Sequence, residues 1–94
     1  MVVLHVDLRP KPGAGPALEQ TFHETFRPAI RAQQGFVDVA LLRPIAETDP
    51  FRLVIVFESE ALRMKWVGTD LHQQVWPKME SHCSGFEAKL FDAA

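Results

Sequence analysis

The stretch Phe51 to Phe57, FRLVIVF, constrains the fold more than any other part of this chain. β-Branched and aromatic residues dominate it, so it reads as a strand. Its two faces are both apolar: Phe51, Leu53, Ile55 and Phe57 lie on one side, Val54 and Val56 on the other. An antiparallel sheet with one solvated face alternates apolar with polar residues, so a strand that is apolar on both sides needs cover on both. Helices of the same chain can supply one cover. The other has to come from elsewhere.

The neighbouring segments show what the strand pairs with. Val2 to Leu8 alternates, with Val2, Leu4, Val6 and Leu8 opposite Val3, His5 and Asp7, which is the period of a strand. GFVDVALLRP reads as another, with Val37, Val39 and Leu41 opposite Phe36, Ala40 and Leu42. GFEAKLF, from Gly85 to Phe91, reads as a fourth. Between the first two, Gly15 and Pro16 open a helix whose stripe is Leu18, Phe22, Phe26 and Ile30, and Gly35 ends it in a left-handed C′ position. Pro28 should kink its last two turns. Ser59 caps a short helix through Trp66, and Gly68 stops it. Asp70 with Gln73 forms a capping-box pattern for a further helix carrying Leu71, His72, Val75, Trp76 and Met79, which Pro77 should distort.

The order strand, helix, strand, strand, helices, strand predicts an α+β ferredoxin-like domain over residues 1–94: a four-stranded antiparallel sheet with helices on one face. A second copy of the chain is the simplest cover for the remaining apolar face. The expected assembly is a homodimer paired sheet to sheet.

Composition narrows the partners. The 94 residues have room for one core, and ten Lys and Arg against twelve Asp and Glu give a net charge of -2 with no run of either sign. Nucleic acid and membranes are therefore not expected partners. The N-terminus MVVLHVDLRP has neither a basic leader nor a long apolar segment, so a cytoplasmic protein is expected. Cys83 has no second cysteine to pair with and no metal-site spacing around it, so it reads as a buried or half-buried thiol, and no metal is expected.

HVDLRPKPG at the first strand, QQGFVDVALL at the second, VIVFESEAL leaving the third and WVGTDLHQQVW on the late helices together resemble the antibiotic biosynthesis monooxygenase family of dimeric α+β barrels. The resemblance implies twofold pairing of sheets and, in each subunit, a pocket between helices and sheet. In the heme-degrading branch a strand-one asparagine, a late-helix tryptophan and a heme-ligating histidine make the site. Trp66 matches that tryptophan, while Val6 and Trp76 stand where the asparagine and the histidine would be. In the polyketide-oxidising branch an asparagine and a tryptophan on strand three position a phenolic substrate; Leu53 and Phe57 stand there in this chain. A histidine at the place of His72 occurs in other members, with differing roles.

His72 and Trp76 lie four apart and share a helix face, so if Trp76 looks into the pocket, His72 does too. The bland alternative is a core histidine between packing indoles. His5 and Asp7 share a strand face turned away from the helices and read as interface or rim groups; His23 and His82 read as solvated. No tyrosine, glycine-rich phosphate loop or nucleotide fingerprint is present. An oxygenase built on such a chain, with no cofactor, would take its electrons from the substrate. The expected substrate is a small electron-rich aromatic, a quinol or a polyketide-like compound, with His72 as base and Trp66, Trp76, Phe57, Phe22, Phe26, Val6 and Leu53 around the ring. The alternatives are a non-catalytic dimer that binds a small apolar ligand and, less favoured by the residues, a heme-degrading oxygenase.

Overall fold

The computed structural model describes all residues from Met1 to Ala94. Strands β1 (Val2–Pro10), β2 (Phe36–Leu42), β3 (Phe51–Phe57) and β4 (Cys83–Asp92) form one antiparallel sheet in the order β2-β3-β1-β4. Between β1 and β2 run α1 (Gly15–Thr21), a π-helical segment (Phe22–Phe26) and α2 (Arg27–Arg31); α3 (Glu60–Val67) and α4 (Asp70–Glu80) link β3 to β4. The molecule thus has the ferredoxin-like α+β fold that the order of elements predicts. No helix is long and apolar enough to cross a membrane.

The strand periods place the core. Val2, Val6 and Leu8 of β1 pair directly with Phe57, Leu53 and Phe51 of β3, and all six are buried beneath the helices. Leu18, Phe22, Phe26 and Ile30 close the core from above, each at most 3% exposed. Strand β2 departs from the expected alternation. A bulge between Phe36 and Asp38 puts Phe36 opposite Phe57 and Val39 opposite Ile55, so Val37 becomes the extra residue and is exposed. One added residue switches the faces of everything before it, which is why Val37 does not share a side with Val39 and Leu41.

The face away from the helices is mixed rather than uniformly apolar. Its strand-to-strand rows run Phe91, Val3, Val56, Asp38; then Lys89, His5, Val54, Ala40; then Glu87, Asp7, Arg52, Leu42. Arg52 donates to the Asp7 carboxylate at 2.8 Å and holds that carboxyl below its ordinary range. The apolar side chains gather toward one end and the ion pair toward the other.

The helix ends show where local chemistry differs from the pattern. Pro28 lacks an N–H and its ring crowds the carbonyl four residues back, which disfavours a regular α-helical turn ahead of it. The chain responds by widening one turn: the Arg27 N–H donates to the Phe22 carbonyl, five residues earlier. Gly35 is not the C′ residue, since α2 ends at Arg31 with Ala32 as its C-cap; its φ of 81° serves a later turn, where an added Cβ would lie 2.5 Å from Leu62 Cδ1. Ser59 does cap α3, accepting from the Leu62 N–H. The cap of α4 is Thr69 rather than Asp70, because Thr69 has the extended backbone a cap requires; its hydroxyl accepts from the His72 N–H at 3.1 Å. Asp70 then sits in the first turn, where a carboxylate is favoured by the helix dipole. Helix α4 continues through Pro77 to Glu80 without a break. His82 is not free in solvent: it is half-buried, with Nε2 2.8 Å from the Thr21 hydroxyl. Glu19 pairs with Arg43 rather than with its helix neighbours. Cys83 is buried and its thiol donates to the Met79 carbonyl; burial pushes the thiol's pKa up.

Candidate functional site

Between the helices and the sheet lies a cavity of about 200 Å³, lined mainly by apolar side chains. Strand periodicity supplies its floor: Leu4 and Val6 of β1, Leu53 and Ile55 of β3 and Ala88 of β4 all project to the helix side. Its walls are a chain of aromatic rings in edge contact. Trp66 meets His72 with centroids 5.0 Å apart, Phe26 lies 6.2 Å from Trp66 and 6.4 Å from Trp76, and Trp76 meets Phe86 at 5.2 Å. Edge-to-face contacts of this kind fix ring orientation as well as burying area. The widened turn ahead of Pro28 ends at Phe26, so a local backbone problem sets where one wall stands.

His72, Trp66, Trp76, Phe26, Val6 and Leu53 therefore come together around one cavity. Phe22 and Phe57 do not. They are 3% and 0% exposed and fill the core beside it, Phe57 edge-on against Phe36. Both lie on the right face but too far along their elements to reach the opening. The sequence reading missed Arg63, Phe86, Leu4, Ile55, Val67 and Ala88, all of which line the cavity. Helical spacing carried the signal for Arg63, which precedes Trp66 by three residues and so shares its face.

His72 is half-buried, and its imidazole pKa is lowered from 6.5, first by desolvation and then by the nearby Arg63 cation. The neutral ring is thus the resting form at neutral pH. Its Nδ1 lies 3.4 Å from Gln73 Nε2, a long contact, while that amide donates to the Val67 carbonyl at 2.9 Å. An amide nitrogen only donates, so this long contact weakly favours the tautomer with the lone pair on Nδ1 and the proton on Nε2. No three His, Cys, Asp or Glu side chains converge to hold a metal ion.

The sequence profile described as antibiotic biosynthesis monooxygenase matches residues 1–77. The chain belongs to the antibiotic biosynthesis monooxygenase family. Solved structures of similar proteins share its fold at low sequence identity. A variant of SnoaB, a cofactor-independent oxygenase from Streptomyces nogalater, superposes with a TM-score of 0.85 at 18% identity, covering 98% of this chain and 91% of that one. A candidate antibiotic biosynthesis monooxygenase from Caulobacter crescentus CB15 gives 0.85 at 17% identity, covering 99% and 89%. A MhuD variant with two manganese protoporphyrin IX bound per active site gives 0.82 at 23% identity, covering 99% and 94%. No match was found among curated protein sequences.

The cavity residues differ from the heme-site pattern that the resemblance implies. The cavity is about 200 Å³, below the range of about 300–1,000 Å³ usual for drug-sized ligands. Val6 and Leu53 on its floor offer no polar contact, and the Trp76 indole has no lone pair for iron. Titration with hemin should give no saturable complex of one per chain in the Soret region; a histidine-ligated spectrum would show that His72 reaches iron and reopen the heme reading.

Proposed function

We propose that the chain is a monooxygenase that uses no cofactor and oxidises a small electron-rich aromatic, a quinol or a polyketide-like compound. The observation that carries this reading is the apolar cavity with one group able to exchange a proton near neutrality, His72, kept in its neutral form. Such a site removes a proton from an acidic C–H or O–H and excludes the water that would quench the resulting anion. At an activated CH₂ the anion gives one electron to dioxygen, and the radical pair joins to form a C–O bond. The peroxide then takes back a proton and loses water across the remaining C–H, leaving a carbonyl. One oxygen atom enters the product, the other leaves as water, and the substrate supplies all the electrons.

Two chains would pair through the open sheet face in the cytoplasm, burying Val3, Val54, Val56 and Phe91. The fold and family support this pairing, as does the 49% exposure of Phe91 in the single chain. A dimer that binds a small apolar ligand without turnover is the competing reading. It is favoured by one observation, the purely apolar side chains of Val6 and Leu53 on the cavity floor. Oxygen uptake separates the two. Added to aerobic hydroquinones, polyphenols and anthrone-like compounds, the protein should accelerate oxygen consumption of at least one of them; binding without acceleration would leave the ligand-binding dimer.

A further inference from the structure

Arg63 is the cavity's single formal charge at neutral pH, and it stands among ten hydrophobic lining residues. Its side chain is only 12% exposed although it lies on a surface helix. Glu60, one turn earlier on α3, holds it from one side: Nε donates to one carboxylate oxygen at 2.9 Å and Nη2 to the other at 2.6 Å. Nη2 also approaches Met64 Sδ at 3.4 Å. This fork fixes the guanidinium plane and uses two of its three nitrogens. Nη1 makes no hydrogen bond within the protein, and no buried polar side-chain atom of the chain is left without a partner, so Nη1 is open to the cavity or to water.

The charges on the two sides are unequal in effect. The Glu60 side chain is 47% exposed, where water screens it, whereas the guanidinium sits against apolar walls that screen poorly. The cavity therefore experiences a net positive field. The other ionisable group in it, His72, does not cancel that field, since a neutral imidazole carries no charge.

We infer that Arg63 makes the cavity selective for monoanionic aromatic ligands, such as aryl carboxylates, acidic phenols and enolates, whose charged oxygen hydrogen-bonds Nη1. The inference rests on the reading of the cavity as a site for small aromatics and names the class within it. An anionic oxygen gains a charge-assisted hydrogen bond where a neutral amide or alcohol gains an ordinary one. An ammonium compound of the same shape would meet a like charge. The same contact favours the anion left when His72 takes a proton, so selection and deprotonation act in one direction.

Calorimetric titration with 2-naphthoate and 2-naphthamide, which share ring and outline and differ in charge, tests this. The wild-type chain should bind naphthoate about tenfold or more tighter than naphthamide, the increment of one hydrogen bond to a charged group. Arg63→Met keeps the length of the side chain and should weaken naphthoate by about 10- to 100-fold and naphthamide by distinctly less, so that the preference between the two is lost; Arg63→Lys should retain part of the preference. A thermal melt of each variant checks that it is folded, and Arg63→Gln replaces the Met variant if that one has lost its cooperative transition. Equal wild-type affinities for the two probes, or a preference that survives in Arg63→Met, would overturn the assignment of Arg63 alone. Failure of the wild type to bind either probe would overturn it together with the small-aromatic reading of the cavity.

Discussion

Replacing His72 by Gln should cut turnover of an accepted substrate by about 10²- to 10⁴-fold, the usual cost of removing a general base. Stability should change little, within about ±0.5 kcal/mol, because the side chain is half-buried and its one polar contact is long. The Thr69 cap is unaffected, since it receives the backbone N–H of residue 72 rather than the ring. The pH dependence has a definite sign. The folded pKa of His72 lies below the ordinary 6.5, so the neutral base persists to lower pH than a free imidazole, and the wild-type rate should rise with pH through a midpoint below 6.5. The linked stability runs the same way. The unfolded chain binds the proton more readily, so the contribution of His72 is complete above 6.5 and is lost as pH falls through 6.5 toward the folded value. A Gln variant that melts lower by about 1 to 3 kcal/mol, with unchanged turnover per folded molecule, would identify His72 as a satisfied core residue instead.

Val56→Asp should separate the two chains of the proposed dimer. Val56 lies in the most apolar row of the open sheet face, between Val3 and Asp38. A carboxylate there has no cation beside it in the row and faces an existing negative charge at Asp38. Burying it unpaired against a second sheet costs several kcal/mol, on the order of the whole stability of a small domain. In the separated chain the same residue is only half-buried and can meet water, so the fold should survive. Light scattering should give about twice 10.6 kDa for the wild type and about 10.6 kDa for the variant at micromolar concentration. A wild-type mass near 10.6 kDa would remove the sheet-to-sheet dimer from the account.

The helix-side core was legible because its residues obey two simple periods. Val2, Val6 and Leu8 alternate, Leu18, Phe22, Phe26 and Ile30 recur every fourth residue, and each set needs a single uninterrupted element to land on one face. Where an element is interrupted, the period fails. The bulge after Phe36 turned Val37 outward, and nothing in FVDVALL marks it, since it depends on pairing with β3. The cap of α4 was misplaced by one residue because Thr69 and Asp70 both suit the role chemically, and backbone geometry decides between them. For the cavity, local spacing put His72, Trp76 and Trp66 on the right surfaces. It did not separate lining from core: Phe22 and Phe26 are equivalent in the stripe, yet only Phe26 reaches the opening, because the π-helical turn and the rings of Trp66 and Trp76 meet there. Arg63 went unread because an arginine on a short helix ordinarily belongs to solvent, and only the tertiary packing around the cavity covers it.

On the proposed function, His72 and the apolar cavity suffice for oxygen insertion, with the substrate as the source of electrons. The most direct test is a reaction under ¹⁸O₂ with chelator-treated protein and a substrate found by oxygen uptake. Each product carbonyl formed should carry one labelled oxygen, with one dioxygen consumed per carbonyl and no dependence on added metal, flavin or hemin. Product without label, or turnover that appears only when one of those groups is supplied, would contradict the proposed function.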